Sequence, residues 1–277
     1  MQKIALNGLF INYLDNESLS ENVILFIHGN SHSSRTFRHQ FGDPLFKNHR
    51  LLALDLPGHG ASDRSERYGL GDFVTVLTDF VKALGLRNFI LVGHSLGGHI
   101  AIEALGSLDP AGILVFGTPP LSKPLDFSAF LPHPSMAYVG KKDFSDEEID
   151  RFLSTFYHSK KPDRSDIEEF KMTDGAFREK LSESFGRLEF QDEVKLLSEF
   201  QGHKAVLHGT LDPLINPAYL RQKIDGGSLW KQTVLELEAS HNMHVEDAEA
   251  FNLELVQFAD LAFGVRPGQA GSLVELR

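Results

Sequence analysis

Three residues, Gly93, Ser95 and Gly97, form the pattern Gly-x-Ser-x-Gly between an apolar run and a helical pattern. A strand that turns abruptly into a helix leaves the residue at the tip of the turn with its side chain exposed. Glycines two positions to either side avoid side-chain clashes in such a tight turn. The first turn of the helix offers free N–H groups and a positive dipole end to whatever the serine attacks. The pattern predicts Ser95 as a nucleophile for acyl transfer.

A serine hydroxyl is nearly inert at neutral pH, so Ser95 requires a base that is held by a carboxylate. His241 follows an apolar run and precedes the last helical pattern, and Asp212 follows the apolar run Ala205–Leu207. Serine, acid and histidine then occur in one of the known chain orders of a catalytic triad. We predict His241 as the base and Asp212 as the carboxylate that orients it.

Each of these two roles has an alternative. His244 lies three residues after His241, near the expected start of a helix, and is the competing base. A competing acid would follow the apolar run Ile113–Phe116, but Thr118 occupies that neighbourhood. His241 and His244 have no third metal ligand nearby in the sequence, so we predict neither a metal site nor a cofactor.

Acyl transfer also needs two donors for the oxyanion that forms on the attacked carbonyl. The backbone N–H of Leu96, directly after the nucleophile, is the first candidate. The second is the backbone N–H of Asn30, in the loop His28–Ser31 that follows the apolar run Val23–Ile27. The side-chain amide of Asn30 could add a donor or orient the substrate.

The elements that must position these residues are short apolar runs that alternate with helical patterns, which is typical of a mostly parallel sheet. The opening runs flank Asn7-Gly8, a strong hairpin signal. The predicted strands are Lys3–Leu6, Phe10–Leu14, Val23–Ile27, Leu51–Leu56, Phe89–Val92, Ile113–Phe116, Ala205–Leu207 and Thr233–Leu237. The predicted helices between and after them are Asp72–Leu84, Leu96–Leu105, Pro217–Ile224 and Val245–Phe263.

Residues 117–200 interrupt this alternation with a proline-rich start and then a helical pattern. Ser145 and Glu148 have the spacing of a capping box, which predicts a helix from there to about Tyr157. Two or three more short helices are predicted, around Ser165–Met172, Gly175–Phe185 and Asp192–Phe200. We predict a core of residues 1–116 and 201–263, a helical cap of residues 117–200 and a C-terminal tail of residues 264–277.

The predicted cap is rich in phenylalanine, with ten of the 22 in the chain. On helices this spacing usually indicates core packing, and an aromatic underside over a substrate pocket is the functional alternative. Phe152, Phe156 and Tyr157 share one helical face in this segment, and we predict them as substrate contacts.

The composition restricts the classes of partner. The 38 acidic residues outnumber the 27 Lys and Arg and give a net charge of −11, which disfavours binding to a phosphate backbone. With no cysteine, disulfides and thiolate nucleophiles are excluded. The chain shows no apolar run typical of a secretory signal or a membrane span. We expect a cytoplasmic protein with a small-molecule substrate and no nucleic-acid partner; the oligomeric state stays open.

These motifs together resemble the α/β-hydrolase superfamily, from about residue 20 to residue 263. Within it, the runs Ile27–Ser34, Leu56–Gly60, Ser95–Ile100 and Gly117–Pro120 are similar to the N-acyl-homoserine lactonases of the α/β-hydrolase type. Most members have glycine where this chain has Ser240, before the histidine. The resemblance implies an α/β-hydrolase fold, a mostly parallel central sheet flanked by helices with a helical cap inserted late in the sheet. It also implies hydrolysis of a homoserine lactone ring, that is, quorum quenching.

Other functions are compatible with the same residues. A general carboxylesterase, an acyl-homoserine amidase and a C–C hydrolase would all use the same triad. Dehalogenases and epoxide hydrolases normally place aspartate where this chain has Ser95, which disfavours both. A non-catalytic ligand receptor on a hydrolase fold is the alternative from another class.

Overall fold

The computed structural model describes residues 1–265 and is built around one eight-stranded sheet. The strands are β1 (Gln2–Leu6), β2 (Leu9–Asp15), β3 (Asn22–Ile27), β4 (Arg50–Leu54), β5 (Asn88–His94), β6 (Gly112–Phe116), β7 (His203–Gly209) and β8 (Leu235–Leu237). Their order in the sheet is β1-β2-β4-β3-β5-β6-β7-β8. The β1–β2 and β2–β4 pairs are antiparallel and the other pairs are parallel, so the predicted mostly parallel sheet is confirmed.

Burial on both faces of the sheet explains the unbroken apolar runs. In β3, Leu25 and Ile27 pack into the hydrophobic cluster on one face, and Ile24 and Phe26 pack into the cluster on the other. Because successive side chains point to opposite faces, a strand covered on both sides must be apolar at every position. The edge hairpin β1–β2 turns at Asn7-Gly8, where both residues have positive φ.

Helices cover both faces of the sheet, and the last one differs from the prediction. Outside residues 117–200 the helices are α1 (Arg38–Phe41), α2 (Leu70–Ala83), α3 (Leu96–Ala104), α8 (Pro217–Lys223), α9 (Met243–Glu246) and α10 (Ala248–Ala262). The predicted continuous helix Val245–Phe263 is wrong, because the backbone breaks at Asp247. The Asp247 side chain accepts from the Ala250 N–H and so caps α10 instead of continuing α9.

Four helices lie between β6 and β7: α4 (Asp146–Ser154), α5 (Arg164–Met172), α6 (Gly175–Gly186) and α7 (Glu193–Glu199). Ser145 and Glu148 form the predicted capping box at α4. Phe177 and Leu181 of α6 belong to the same hydrophobic cluster as the β3 side chains Leu25 and Ile27. This segment therefore shares a core with the sheet, and the domain limits stay a prediction. Of the predicted tail, residues 266–277 lie outside the described part.

Polar contacts also attach the segment 117–200 to the sheet. The Ser33 N–H donates to Glu169 Oε2 over 3.1 Å, and the Tyr68 hydroxyl donates to Asp174 Oδ2 over 2.8 Å. Glu169 is buried, and this burial raises its pKa from 4.5 to about 7, although the hydrogen bond from Ser33 acts in the opposite direction. At neutral pH the Glu169 carboxyl group is therefore close to half protonated.

The raised pKa of Glu169 predicts a pH-dependent stability. The folded protein holds the Glu169 proton more tightly than the unfolded chain, so its stability falls as the pH rises from about 4.5 through about 7. At 1.36 kcal/mol per pKa unit, this loss is at most about 3 kcal/mol. Glu169→Gln stays neutral and still accepts from Ser33. We expect its melting temperature relative to wild type to rise between pH 5 and pH 8.

Glu168→Gln is the matched control, because the neighbouring Glu168 is exposed and, within residues 1–265, pairs only with Arg164 at the surface. Its melting temperature relative to wild type should not rise between pH 5 and pH 8. A Glu169→Gln difference that is equal at both pH values would contradict the assigned pKa.

Candidate active site

Ser95 lies at the tip of the turn between β5 and α3, with φ 52° and ψ −117°. Glycine is required on both sides of this turn. A Cβ at Gly93 would lie 2.5 Å from the Gly97 carbonyl oxygen, and a Cβ at Gly97 would overlap the backbone of Ile27. The Thr118 hydroxyl donates to the Ser95 carbonyl over 2.9 Å and braces the turn. Contacts with Ile27 of β3 and with Thr118 thus hold the strained backbone. The sequence had suggested no role for Thr118.

The imidazole of His241 is paired with Asp212. His241 Nδ1 lies 2.7 Å from Asp212 Oδ2, and Asp212 Oδ1 accepts from the Leu214 N–H over 2.8 Å. Burial alone would raise the pKa of Asp212, but the charge and hydrogen bond of His241 and the Leu214 N–H outweigh it and hold this pKa below its usual value. Asp212 is therefore a carboxylate at neutral pH, and His241 presents Nδ1–H to it.

Ser95 and His241 line the same cavity. Among the hydrogen bonds of residues 1–265, none joins the Ser95 hydroxyl to the His241 ring, and such bonds often tighten only when substrate is present. His94, directly before Ser95, lies 3.2 Å by its Nε2 from the His241 carbonyl oxygen. Gly117 has φ +60°, and a Cβ there would lie 3.1 Å from His241 Cε1. The loop that carries His241 is therefore packed directly against the turn that carries Ser95.

The competing base His244 is placed elsewhere. Its Nε2 lies 2.8 Å from the Thr36 hydroxyl, its side chain is fully buried, and it does not line the cavity. Burial holds the pKa of His244 well below its usual value, so the ring is neutral. The structure brings His241, not His244, to the cavity wall.

The two predicted oxyanion donors, Asn30 and Leu96, both line the cavity. Neither backbone N–H donates to another group within residues 1–265. A Cβ at Gly29 would lie 3.2 Å from Ser95 Cβ, so the loop that holds Asn30 runs directly beside the nucleophile. Backbone N–H groups in folded proteins are nearly always paired, so two at a cavity wall without a partner in residues 1–265 indicate a site for an acceptor oxygen.

The cavity has a volume of about 430 Å³ and a mostly apolar wall supplied largely by residues 117–200. Phe152 and Phe156 line it. Tyr157, predicted with them, does not, because its hydroxyl donates to Asp166 Oδ2 over 2.8 Å and the ring packs toward α5. Because α4 ends at Ser154, before both Phe156 and Tyr157, the hydrogen bond to Asp166 and not a shared helical face decides where Tyr157 lies.

The wall also includes two buried polar side chains that the sequence analysis missed. His99 Nδ1 pairs with the buried carboxylate of Glu193 at 2.8 Å, and Arg178 reaches the wall from α6. Both positions depend on how residues 117–200 fold back over the sheet. His99 lies in the run Ser95–Ile100, but no sequence spacing connects it to Glu193, and none connects Arg178 to the site.

Four of these residues follow the carboxyl ends of parallel strands. Asn30 follows β3, Ser95 follows β5, Asp212 follows β7 and His241 follows β8. In open parallel sheets this edge is the usual position of a binding site. Among residues 1–265, no helix is both long and apolar enough to cross a bilayer.

Comparison with curated proteins finds partial matches. The chain is 34% identical over 86 residues to a putative esterase/lipase of Mycoplasma genitalium, which covers 30% of this chain and 31% of that protein. It is 30% identical over 166 residues to epoxide hydrolase 3 of Xenopus tropicalis, which covers 56% of this chain and 44% of that protein. The chain thus spans about a third of the length of the first relative and less than half of the length of the second.

A solved structure matches over nearly the whole chain. It is the N-acyl homoserine lactonase AidH in a mutant form complexed with N-hexanoyl homoserine lactone, with a TM-score of 0.90 and 25% identity. The match covers 96% of this chain and 99% of that one. The model of the alpha/beta hydrolase family matches residues 24–254. The fold, the family model and this likeness together show that the chain belongs to the alpha/beta hydrolase family.

Proposed function

We propose that the protein is a serine hydrolase that opens the ring of N-acyl-homoserine lactones with Ser95, His241 and Asp212 as its catalytic triad. The observation that carries the proposal is the buried His241–Asp212 pair on the wall of the cavity that Ser95 also lines. The likeness to the lactonase AidH supports the choice of substrate. Loss of such signalling molecules would make the activity quorum quenching.

The proposed reaction has two stages. His241 Nε2 takes the Ser95 proton while the hydroxyl oxygen attacks the lactone carbonyl, and the backbone N–H groups of Asn30 and Leu96 receive the oxyanion. Collapse breaks the bond to the ring oxygen, which takes the proton from His241. The resulting acyl-enzyme is hydrolysed by water with His241 again as the base. The net reaction adds one water and releases N-acyl-homoserine.

The apolar wall of the cavity suits an acyl chain. We propose that residues 117–200 act as a cap and that its side chains Phe152 and Phe156 contact the acyl chain of the substrate. Each buried CH₂ group contributes about 0.8 kcal/mol to binding, so a chain of four to eight carbons could supply much of the affinity.

The mass of the product tests the proposed reaction. Incubation with N-hexanoyl homoserine lactone should give one product heavier by one water, measured by mass spectrometry against a no-enzyme control for spontaneous ring opening. Free hexanoic acid with intact homoserine lactone would instead identify an amidase. Turnover of p-nitrophenyl esters without turnover of the lactone would identify a carboxylesterase.

A further inference from the structure

Arg178 is a buried cation at the wall of the proposed active site, and Asp174 and Asp143 favour its charge only from a distance. Its side chain is 3% exposed, and among residues 1–265 no carboxylate lies within salt-bridge distance. Its Nε and Nη2 donate to the carbonyls of Lys141 and Lys142 over 2.8 and 3.0 Å. Its guanidinium also lies 4.6 Å from the ring centre of Phe170. A buried charge usually costs stability unless it is paired, so an unpaired one calls for a function.

The third contact of Arg178 leads to the loop beside the nucleophile. Arg178 Nη1 donates to the Ser31 hydroxyl over 2.7 Å, and this hydroxyl donates to Asn30 Oδ1 over 2.6 Å. Arg178 can only donate, so the Ser31 proton is free to go to Asn30. The hydrogen-bond chain therefore determines which end of the Asn30 amide faces Ser31: it is the oxygen.

The rest of the Asn30 loop is held just as firmly. Ser31 has φ 60°, and the carbonyl of Asn30 is 3.0 Å from Nδ1 of the buried His32 ring. With Oδ1 and the carbonyl both engaged, the remaining groups of Asn30 are its backbone N–H and its Nδ2 amino group. Neither donates to another group of residues 1–265, and Asn30 lines the cavity with Ser95.

We propose that Arg178 is a positioning residue, an inference that rests on the proposed function. Through Ser31, Arg178 orients the side-chain amide of Asn30 as a third donor to the reacting carbonyl oxygen. The hydrogen bond to Ser31 is charge-assisted because its donor is a cation, and it polarises the next bond, from Ser31 to Asn30. Arg178 belongs to α6 and the other two residues to the loop after β3. The donor set is therefore complete only when residues 117–200 are seated on the sheet.

Ser31→Ala isolates this chain of hydrogen bonds, because it leaves the contacts of Arg178 with Lys141 and Lys142 in place. Loss of one oxyanion donor costs about 10²–10³ in kcat, and a donor that is misoriented rather than removed should cost less. We expect kcat to fall about tenfold or more on both N-hexanoyl homoserine lactone and p-nitrophenyl butyrate, with KM within about twofold. Affinity for a trifluoromethyl ketone that forms a tetrahedral adduct should fall by the same factor as kcat/KM.

Ser34→Ala is the matched control, since Ser34 begins the short 3₁₀ turn that follows this loop and its buried hydroxyl has no hydrogen-bond partner in residues 1–265. Its kcat should stay within about twofold of wild type. Arg178→Met should repeat the Ser31→Ala effect, and the double variant should be no slower than Arg178→Met alone. In an Asn30→Ala background, Ser31→Ala should have no further effect. Ser31→Gly, which adopts positive φ freely, serves if Ser31→Ala fails to fold.

The inference is overturned if Ser31→Ala retains full kcat, if its effect appears only in KM, or if it persists in the Asn30→Ala background. These results leave the proposed function standing, because the wild type would still hydrolyse the lactone. If wild type hydrolyses the aryl ester and not the lactone, the substrate assignment fails and the Ser31 test is decided on the ester. If wild type hydrolyses neither compound, both proposals are wrong.

Discussion

Ser95→Ala is expected to lower kcat by about 10⁴-fold or more while the fold is unchanged. The variant removes the only atom that can form the acyl-enzyme, so the cavity and the oxyanion donors remain without a nucleophile. Alanine tolerates the φ of 52° at this position no worse than serine does. Initial rates on the lactone and on an aryl ester, with melting temperature as the check on folding, measure the effect.

Ser182→Ala controls for the loss of a hydroxyl from the same cavity, because Ser182 lines the wall and has no assigned part in the chemistry. Its rate should stay within a few-fold of wild type. A Ser95→Ala protein that keeps more than about a tenth of the wild-type rate would contradict the assignment of the nucleophile.

Asp212→Asn is expected to lower kcat by about 10³–10⁴-fold by reversing the tautomer of His241. Asparagine can still accept from the Leu214 N–H through its oxygen, and it then presents an amino group to His241 Nδ1. The ring must place its proton on Nε2 and can no longer take the Ser95 proton. Steady-state rates at neutral pH measure the loss, and KM should change little.

Asp225→Asn is the control, because Asp225 caps a single turn by accepting from the Gly227 N–H, which asparagine does equally well. Its rate should equal that of wild type. The low pKa of Asp212 adds a second check: its ionised form stabilises the fold above about pH 3.8, and this contribution is lost as the pH falls through its depressed pKa. A near-normal rate in Asp212→Asn would remove Asp212 from the triad.

The fold was predictable from the sequence where local chemistry determines it. Strands such as β3 had to be apolar where both faces are covered, from residue 23 to residue 27, and Asn7-Gly8 had to turn with positive φ. The break at Asp247 was not predictable, because a continued apolar pattern hides a single capping side chain. Similarly, the shared core of Phe177 with the sheet depends on long-range packing that no local pattern reports.

The site residues also fall into those that the sequence predicts and those that depend on long-range packing. Ser95, Asp212 and His241 each follow a strand, and parallel strands bring such positions to one edge of a sheet, so their convergence could be predicted. Tyr157 lies away from the cavity wall because its hydroxyl donates to Asp166, a contact that no local pattern reports. No role was predicted for Thr118 or Arg178, since both contact residues far away in the chain.

Labelling with a fluorophosphonate and peptide mapping by mass spectrometry tests the central claim most directly, because the reagent reacts with a serine only when a base activates it. We predict one phosphonyl group per chain, located on Ser95, with labelling slowed strongly in His241→Ala and in Asp212→Asn. An active protein that takes up no phosphonyl group, or takes it up on another residue, would contradict the claim.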